Sequence, residues 1–251
     1  MNYIIITGAS RGLGKSLALK LGKANTKLYL LARDLKKLQD ISIEVRNNGG
    51  EVETIEFDLS NNIDKIPNLI NSIVKNIDVE QCESLVLINN AGLIKPIDFI
   101  GNLSVDDILY NFNTNCISAI VLINAFIKKT NKFKYLKKII NISSGVAYKP
   151  LSGWGLYSAS KSAINIFIET LITESDENIK AVSVDPGVMD TDIQNYIRKV
   201  DKLKFPYVDD FKKYHENGVL VSSDLVANKI SEVYIDGWYA KNIFEKIKDY
   251  E

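Results

Sequence analysis

Short runs of β-branched and aliphatic residues alternate along this chain with longer segments of helical period, and that alternation limits the fold more than any other feature. It implies βαβ units, and so a mostly parallel sheet with helices on both faces. The expected strands are Tyr3–Thr7, Lys27–Ala32, Glu51–Phe57, Ser84–Asn89, Lys137–Ser143 and Ala181–Asp185. Cores such as Ile4-Ile5-Ile6 and Leu85-Val86-Leu87-Ile88 are apolar without interruption, as strands buried on both faces require. Helices are expected over Gly12–Ala24, Asp34–Asn47, Ile63–Asn76, Ser104–Thr130 and Trp154–Ser175. Asn25 and Asn47-Asn48-Gly49-Gly50 read as helix stops, and Asp34, Ser60 and Ser104 as caps.

A chain of 251 residues with no repeat and no Pro-, Gly- or Ser-rich linker is expected to form a single domain over 1–251. The periodicity fails between Met189 and Gly218, where charged and aromatic residues mix around Pro206, and a lid over about 189–218 fits this stretch. Ser222–Tyr234 reads as a last helix, whereas Asp236–Glu251 fits a strand or a helix equally.

Composition narrows the function classes. Hydrophobic residues at 46% and charged residues at 25% suit an ordinary globular core. Lys+Arg and Asp+Glu number 31 each, so no overall field draws in nucleic acid or an anionic membrane. No apolar run approaches the roughly 20 residues that cross a bilayer. The first residues lack the charged head and cleavage site of a signal peptide, and a cytoplasmic location is expected. Cys82 and Cys116 are isolated and fit neither a metal spacing nor a disulfide framework. His215 is the one histidine, so multi-histidine zinc sites are excluded and no metal is expected.

The first strand runs into Thr7-Gly8-Ala9-Ser10-Arg11-Gly12-Leu13-Gly14, where a helix begins. Glycines at a strand-to-helix turn permit positive φ and close backbone approach, and a helix N-terminus offers N–H groups to a pyrophosphate. At the end of the second strand, where a dinucleotide fold meets the adenosine ribose, stand Ala32 and Arg33 in place of a carboxylate. Arg33, with Arg11 converging on it, suits a 2′-phosphate, which favours NADP(H) over NAD. Asp34 is read as a helix cap.

Tyr157 and Lys161 stand four apart on an expected helix and share a face. An ammonium beside a phenol favours the phenolate, and bringing its pKa from about 10 to about 7 or 8 takes roughly 3 to 4 kcal/mol. One partly solvated lysine does not supply that alone, and the positive nicotinamide of an oxidised cofactor is a second source. Ser144, at the end of the fifth strand, is placed to donate to a substrate carbonyl oxygen beside Tyr157. Leu151 and Trp154, Met189 and Gln194, and the lid from Tyr196 to His215 are the candidates for a slot around a planar or aryl substrate. His215 is read as a surface or lid residue.

In order along the chain these motifs resemble the short-chain dehydrogenase/reductase family. Gly8, Ser10, Arg11, Gly12, Leu13 and Gly14 look like its cofactor loop, Asp58-Leu59 like its adenine-contacting pair, and Asn90-Ala91-Gly92 like its adenine-side sheet motif. Asn115, Ser144, Tyr157 and Lys161 look like its catalytic tetrad, and Pro186, Gly187, Val188 and Thr191 like its nicotinamide-side segment. The resemblance implies a Rossmann-type doubly wound, seven-stranded α/β sheet and carbonyl/alcohol oxidoreduction. It implies Tyr157 as proton donor, Ser144 orienting the carbonyl, Lys161 holding the nicotinamide ribose, and Asn115 binding a water that links Lys161 to solvent.

Within the family, Gly187 to Gln194 and Lys213 to Val221 look similar to the sepiapterin reductase and benzil reductase branch, whose members reduce diketo groups with NADPH. The carboxylate that anchors a pterin there would fall on Asp249 by position. The expected partner is a small carbonyl substrate, with a homodimer or homotetramer implied by resemblance. A non-catalytic NADP-binding regulator and an NAD-dependent alcohol dehydrogenase are the rival readings, the second disfavoured by Ala32-Arg33.

Overall fold

The computed structural model describes residues 1–250. Its strands are β1 (Asn2–Thr7), β2 (Thr26–Ala32), β3 (Glu51–Glu56), β4 (Ser84–Asn89), β5 (Leu136–Ile142), β6 (Ile179–Asp185) and β7 (Phe244–Lys246). Between and after them lie α1 (Gly12–Leu21), α2 (Leu35–Asn47), α3 (Ile66–Lys75), α4 (Val105–Phe112), α5 (Ser118–Thr130), α6 (Gly155–Glu174), α7 (Asp192–Ile197), α8 (Val208–Glu216) and α9 (Ser223–Ile230). All seven strands are parallel, in the order β3-β2-β1-β4-β5-β6-β7.

The uninterrupted apolar strands divide their side chains between two cores. Ile4 and Ile6 of β1, with Val86 and Ile88 of β4, face α1, α2 and α9. Tyr3, Ile5, Leu85 and Leu87 point the other way, onto α3, α5 and α6. The period of two therefore survives in the packing although both faces are apolar. Each buried Leu or Ile contributes roughly 1.5–3 kcal/mol by leaving water, so both faces hold the sheet. A polar row crosses it where Asn89 donates to Asn141 at 2.8 Å and Asn141 to Ser183 at 2.9 Å.

Several elements differ from the sequence expectation. The segment expected as one helix over Ser104–Thr130 is broken by a π-helical turn at Asn113–Ile117. The whole run Val105–Thr130 passes the length and composition test for crossing a membrane, yet 44% of its apolar window is buried in the fold, where Ala119, Leu122 and Phe126 pack under the sheet. Asp34 and Ser104 cap helices as expected, accepting from the backbone N–H of Lys37 and Asp107. Ser60 caps none: its hydroxyl donates to Asp58, which ties down the turn after β3. The ambiguous C-terminal stretch forms the short edge strand β7 and a 3-10 turn at Ile247–Asp249. The expected lid holds two helices, α7 and α8, around a third core of Trp154, Ile197, Phe205, Val208 and Phe211.

Candidate active site

The strand order reverses between β1 and β4, and the crevice at that switch point lies off the C-terminal ends of the strands. A cleft of about 1450 Å³ opens there and runs from Arg33 and Asp58, past the glycine turn, to Tyr157 and the lid.

The glycine turn is fixed by sterics. Gly8 has φ +65°, and a Cβ on it would meet Ala91 Cα at 2.9 Å. A Cβ on Gly14 would sit 2.2 Å from the Gly8 carbonyl oxygen. Gly14 does not line the cleft; its bare α-carbon lets α1 close on the turn. Thr7 Oγ1 accepts from the N–H groups of Asn90 and Ala91 at 3.0 Å, and Asn90 Nδ2 donates to Thr7 O at 2.9 Å, locking the ends of β1 and β4 together. No side chain caps α1, so its first N–H groups face the cleft without a side-chain acceptor. Gly8, Ser10, Arg11, Gly12, Leu13, Asn90, Ala91 and Gly92 form this stretch of the wall. A phosphate-bearing dinucleotide fits it: close backbone, a helix N-terminus and no carboxylate inside the turn.

At the far end, Arg33, Lys37, Asp58 and Leu59 line the cleft. Burial acts to raise the Asp58 carboxyl, but hydrogen bonds from Ser60 and Asn61 and the charge of Arg33 hold it below its ordinary value. The two arginines do not converge as expected. Arg33 Nη1 donates to Tyr110 Oη at 2.9 Å. Arg11 is turned across the cleft mouth to Asp192 at 3.0 Å, because the first residue of α7 presents the nearest carboxylate. Lys37, one turn into α2, was not anticipated, although it stands three residues after the capping Asp34, whose carboxylate its ammonium meets at 3.4 Å.

At the catalytic end, Ser144, Tyr157 and Lys161 all line the cleft. Lys161 is 5% exposed and donates from Nζ to Ile142 O at 2.8 Å, standing 5.9 Å from the centre of the Tyr157 ring. Burial lowers its pKa to about 8. The expected lowering of the phenol by this lysine is reversed. Burial pushes Tyr157 up to about 12, Ser144 hydrogen bonding pulls it down, and the Asp185 carboxylate adds to the rise. Depletion of water around the ring outweighs an ammonium that is held by a backbone carbonyl.

Asn115 stands behind the wall. It sits in the π-helical turn, is 2% exposed, and does not line the cleft. Its Nδ2 donates to Leu93 O at 2.8 Å and to Asn111 Oδ1 and Ser160 Oγ at 3.2 Å, and its Oδ1 accepts from Leu93 N at 2.8 Å. The extra residue of the π turn aims this amide at the strand-end loop instead of along the helix.

Leu151, Trp154, Met189 and Gln194 line the substrate side, with Pro186, Gly187, Val188 and Thr191 between them and the glycine turn. Asp249 lies outside the wall; the three residues before it, Lys246, Ile247 and Lys248, line the cleft in its place. Tyr148 is a wall residue that the sequence reading passed over. A relay fixes it: Ser143 Oγ donates to Asn165 Oδ1 and Asn165 Nδ2 to Tyr148 Oη, both at 2.8 Å. Its signal was its position four residues after Ser144, on the loop leading to Tyr157. His215 is exposed on α8 and outside the wall, and both cysteines are buried, free thiols. Among the described residues no group of three or more His, Cys, Asp or Glu could hold a metal ion.

Comparison with known proteins bears on this geometry. The chain is 32% identical over 233 residues to a benzil reductase ((S)-benzoin forming) of Bacillus cereus, covering 92% of each. It is 33% identical over 192 residues to an NADP-dependent 3-hydroxy acid dehydrogenase of Schizosaccharomyces pombe, covering 75% of this chain and 72% of that one. To the sepiapterin reductase of Rattus norvegicus it is 31% identical over 207 residues, covering 78% and 77%. The solved structure of the KRED1-Pglu enzyme superposes with a TM-score of 0.80 at 27% identity, covering 97% of this chain and 98% of that one. The short chain dehydrogenase family matches residues 2–202. With the parallel sheet, the glycine turn and the Ser144, Tyr157 and Lys161 cluster in place, the chain belongs to the short-chain dehydrogenase family, whose members act as oxidoreductases on carbonyl and alcohol groups.

Proposed function

We propose that the protein is an NADPH-dependent carbonyl reductase that reduces a ketone or α-dicarbonyl of the benzil or sepiapterin type, as one domain over 1–251 with residues 189–218 as the substrate lid. The observation that carries this reading is the joining, in one cleft, of the Ser144 and Tyr157 hydroxyls with a β2 end where Arg33 and Lys37 stand beside Asp34, a carboxylate engaged in capping α2 and in pairing with Lys37 at 3.4 Å.

The bound reduced cofactor supplies hydride to the substrate carbonyl carbon. Ser144 orients the carbonyl by donating to its oxygen, and Tyr157 gives that oxygen its proton as negative charge builds. A phenol raised to about 12 is fully protonated at neutral pH, which is the form a reductase needs. Lys161, lowered to about 8, still holds a proton there and stands within the same wall to hold the ribose. Asn115 ties the loop at Leu93, after β4, to Ser160 beside them. Arg33 and Lys37 supply charge for a 2′-phosphate, and the NADP-dependent relative from fission yeast supports that preference.

The test is loss of reduced-cofactor absorbance with benzil and sepiapterin as substrates. NADPH should be oxidised much faster than NADH, and equal rates would remove the cofactor preference. Tyr157→Phe should lower kcat by about 10³-fold with NADPH affinity unchanged; retained turnover would remove Tyr157 as the acid.

A further inference from the structure

We infer that the Gln194 carboxamide, backed by the Trp154 indole N–H, forms a subsite for the second oxygen of a vicinal dicarbonyl. The inference rests on the reductase reading above and adds to it the side chains that would tell an α-dicarbonyl from a simple ketone.

Gln194 is 2% exposed, lines the cleft, and has a protein partner for neither its amide nitrogen nor its amide oxygen. Trp154 Nε1, in the same wall, is also buried without a partner. Buried polar groups are nearly always hydrogen-bonded, because an unpaired one carries its full desolvation cost. Two such groups in one wall, a few residues in sequence from the proton donor in the case of Trp154, call for a ligand.

A structural use for Gln194 is at hand and is declined. Thr191 is the N-cap of α7, and Thr191-x-x-Gln194 has the spacing at which a glutamine reaches back to its helix cap. Neither side chain makes a cap bond. Gln194 lines the cleft one helical turn before Ile197, which packs in the Trp154 core. Trp154 in turn is held rigidly: it stacks on Phe205 at 4.8 Å and 9°, and meets Tyr157 edge-on at 6.0 Å and 86°. Its N–H direction is thus set. Arg198 Nη1 also lacks a partner but stands outside the cleft wall.

The donors select the ligand chemistry. Gln194 Nε2 and Trp154 Nε1 both present N–H, which a neutral carbonyl oxygen accepts on its two lone pairs. With one carbonyl at Ser144 and Tyr157 and its neighbour at Gln194, a diketone would satisfy both sets. A monoketone would leave the amide unpaired, the kind of mismatch that discriminates most strongly between similar substrates.

Benzil and deoxybenzoin make the test, since they differ by one carbonyl replaced with a methylene. The readouts are kcat/KM with saturating NADPH and the benzil dissociation constant from quenching of tryptophan fluorescence in the NADP⁺ complex. Gln194→Met, close in volume, should lower kcat/KM for benzil and weaken its binding by roughly tenfold, with deoxybenzoin changed by less than about twofold. Gln194→Leu, which removes the donor with a differently shaped apolar side chain, should do the same and guards against a packing effect peculiar to methionine. Equal losses on both ketones, or no loss on benzil, would overturn the subsite while leaving the reductase reading intact. Wild-type protein that reduces and binds neither ketone would overturn both.

Discussion

The two ends of the cleft are built by different means. At the glycine turn the shape is set by backbone: Gly14 has no room for a methyl group, and Thr7 and Asn90 bind the strand ends together. At the lid the shape is set by side chains, with Trp154 between Phe205, Phe211 and Tyr157 and polar atoms left unpaired at Trp154 and Gln194. A backbone-built site has few sequences that fit it and one ligand shape. A side-chain-built site can be rewritten residue by residue, so the general cofactor chemistry belongs to the first end and substrate choice to the second.

The contrast can be broken most sharply at Gly14. A Cβ there would lie 2.2 Å from the Gly8 carbonyl oxygen and 2.6 Å from Asn90 Nδ2, both held by other bonds. Gly14→Ala should destabilise by more than about 3 kcal/mol despite alanine's better helix propensity, and should abolish NADPH binding. A normal Tm would show that the turn yields as readily as the lid.

Between the two ends, buried Lys161 makes stability depend on pH. Its folded pKa of about 8 lies below the ordinary 10.5, so between those values the unfolded chain binds the extra proton and stability rises with pH. The cost of burying the charge is full below about pH 8 and gone above about 10.5. Denaturant titrations of wild type and Lys161→Met should therefore show wild type gaining about 3 kcal/mol on the variant across that window. A constant difference would mean that the ammonium is not desolvated.

At the lid the sign reverses. Gln194→Met replaces an unpaired buried amide with an apolar group of similar size, so it should leave Tm unchanged or raise stability by up to about 1 kcal/mol. A clear loss in a melting curve would mean that the amide has a structural partner after all.

The same contrast explains what could be read from the sequence. The glycine spacing, Ser144, Tyr157 and Lys161 are local signals, and all but Gly14 reach the cleft wall. Asp34 and Ser104 were legible as caps because capping depends on three residues of chain. Asn115 was legible as a motif, but its bonds to Leu93 depend on a π turn that helical period does not mark. Tyr148 and Lys37 were missed because their approach to the cleft is set by tertiary packing. The Tyr157 pKa went astray for the same reason: spacing puts an ammonium on the same face, whereas burial and Asp185 are properties of the assembled site. Asp249 and Lys248 are neighbours, and which of them lines the cleft is settled only once the 3-10 turn after β7 is folded.

The two ends touch at the Arg11–Asp192 ion pair, which joins the glycine turn to the first residue of α7. The side chains are 60% and 64% exposed, so water and salt screen the pair and it adds little to the fold. Asp192→Asn should keep Tm within about 2 °C of wild type. It should still change binding, because it frees Arg11 at the mouth of the cofactor end. NADPH affinity should rise by about twofold to threefold at low salt, less at high salt, and NADH affinity should not move, since only the 2′-phosphate gives the freed guanidinium an anion to meet. Isothermal titration with both cofactors checks this. Parallel changes for the two would locate Arg11 at the shared pyrophosphate and leave Arg33 and Lys37 as the only basis for discrimination.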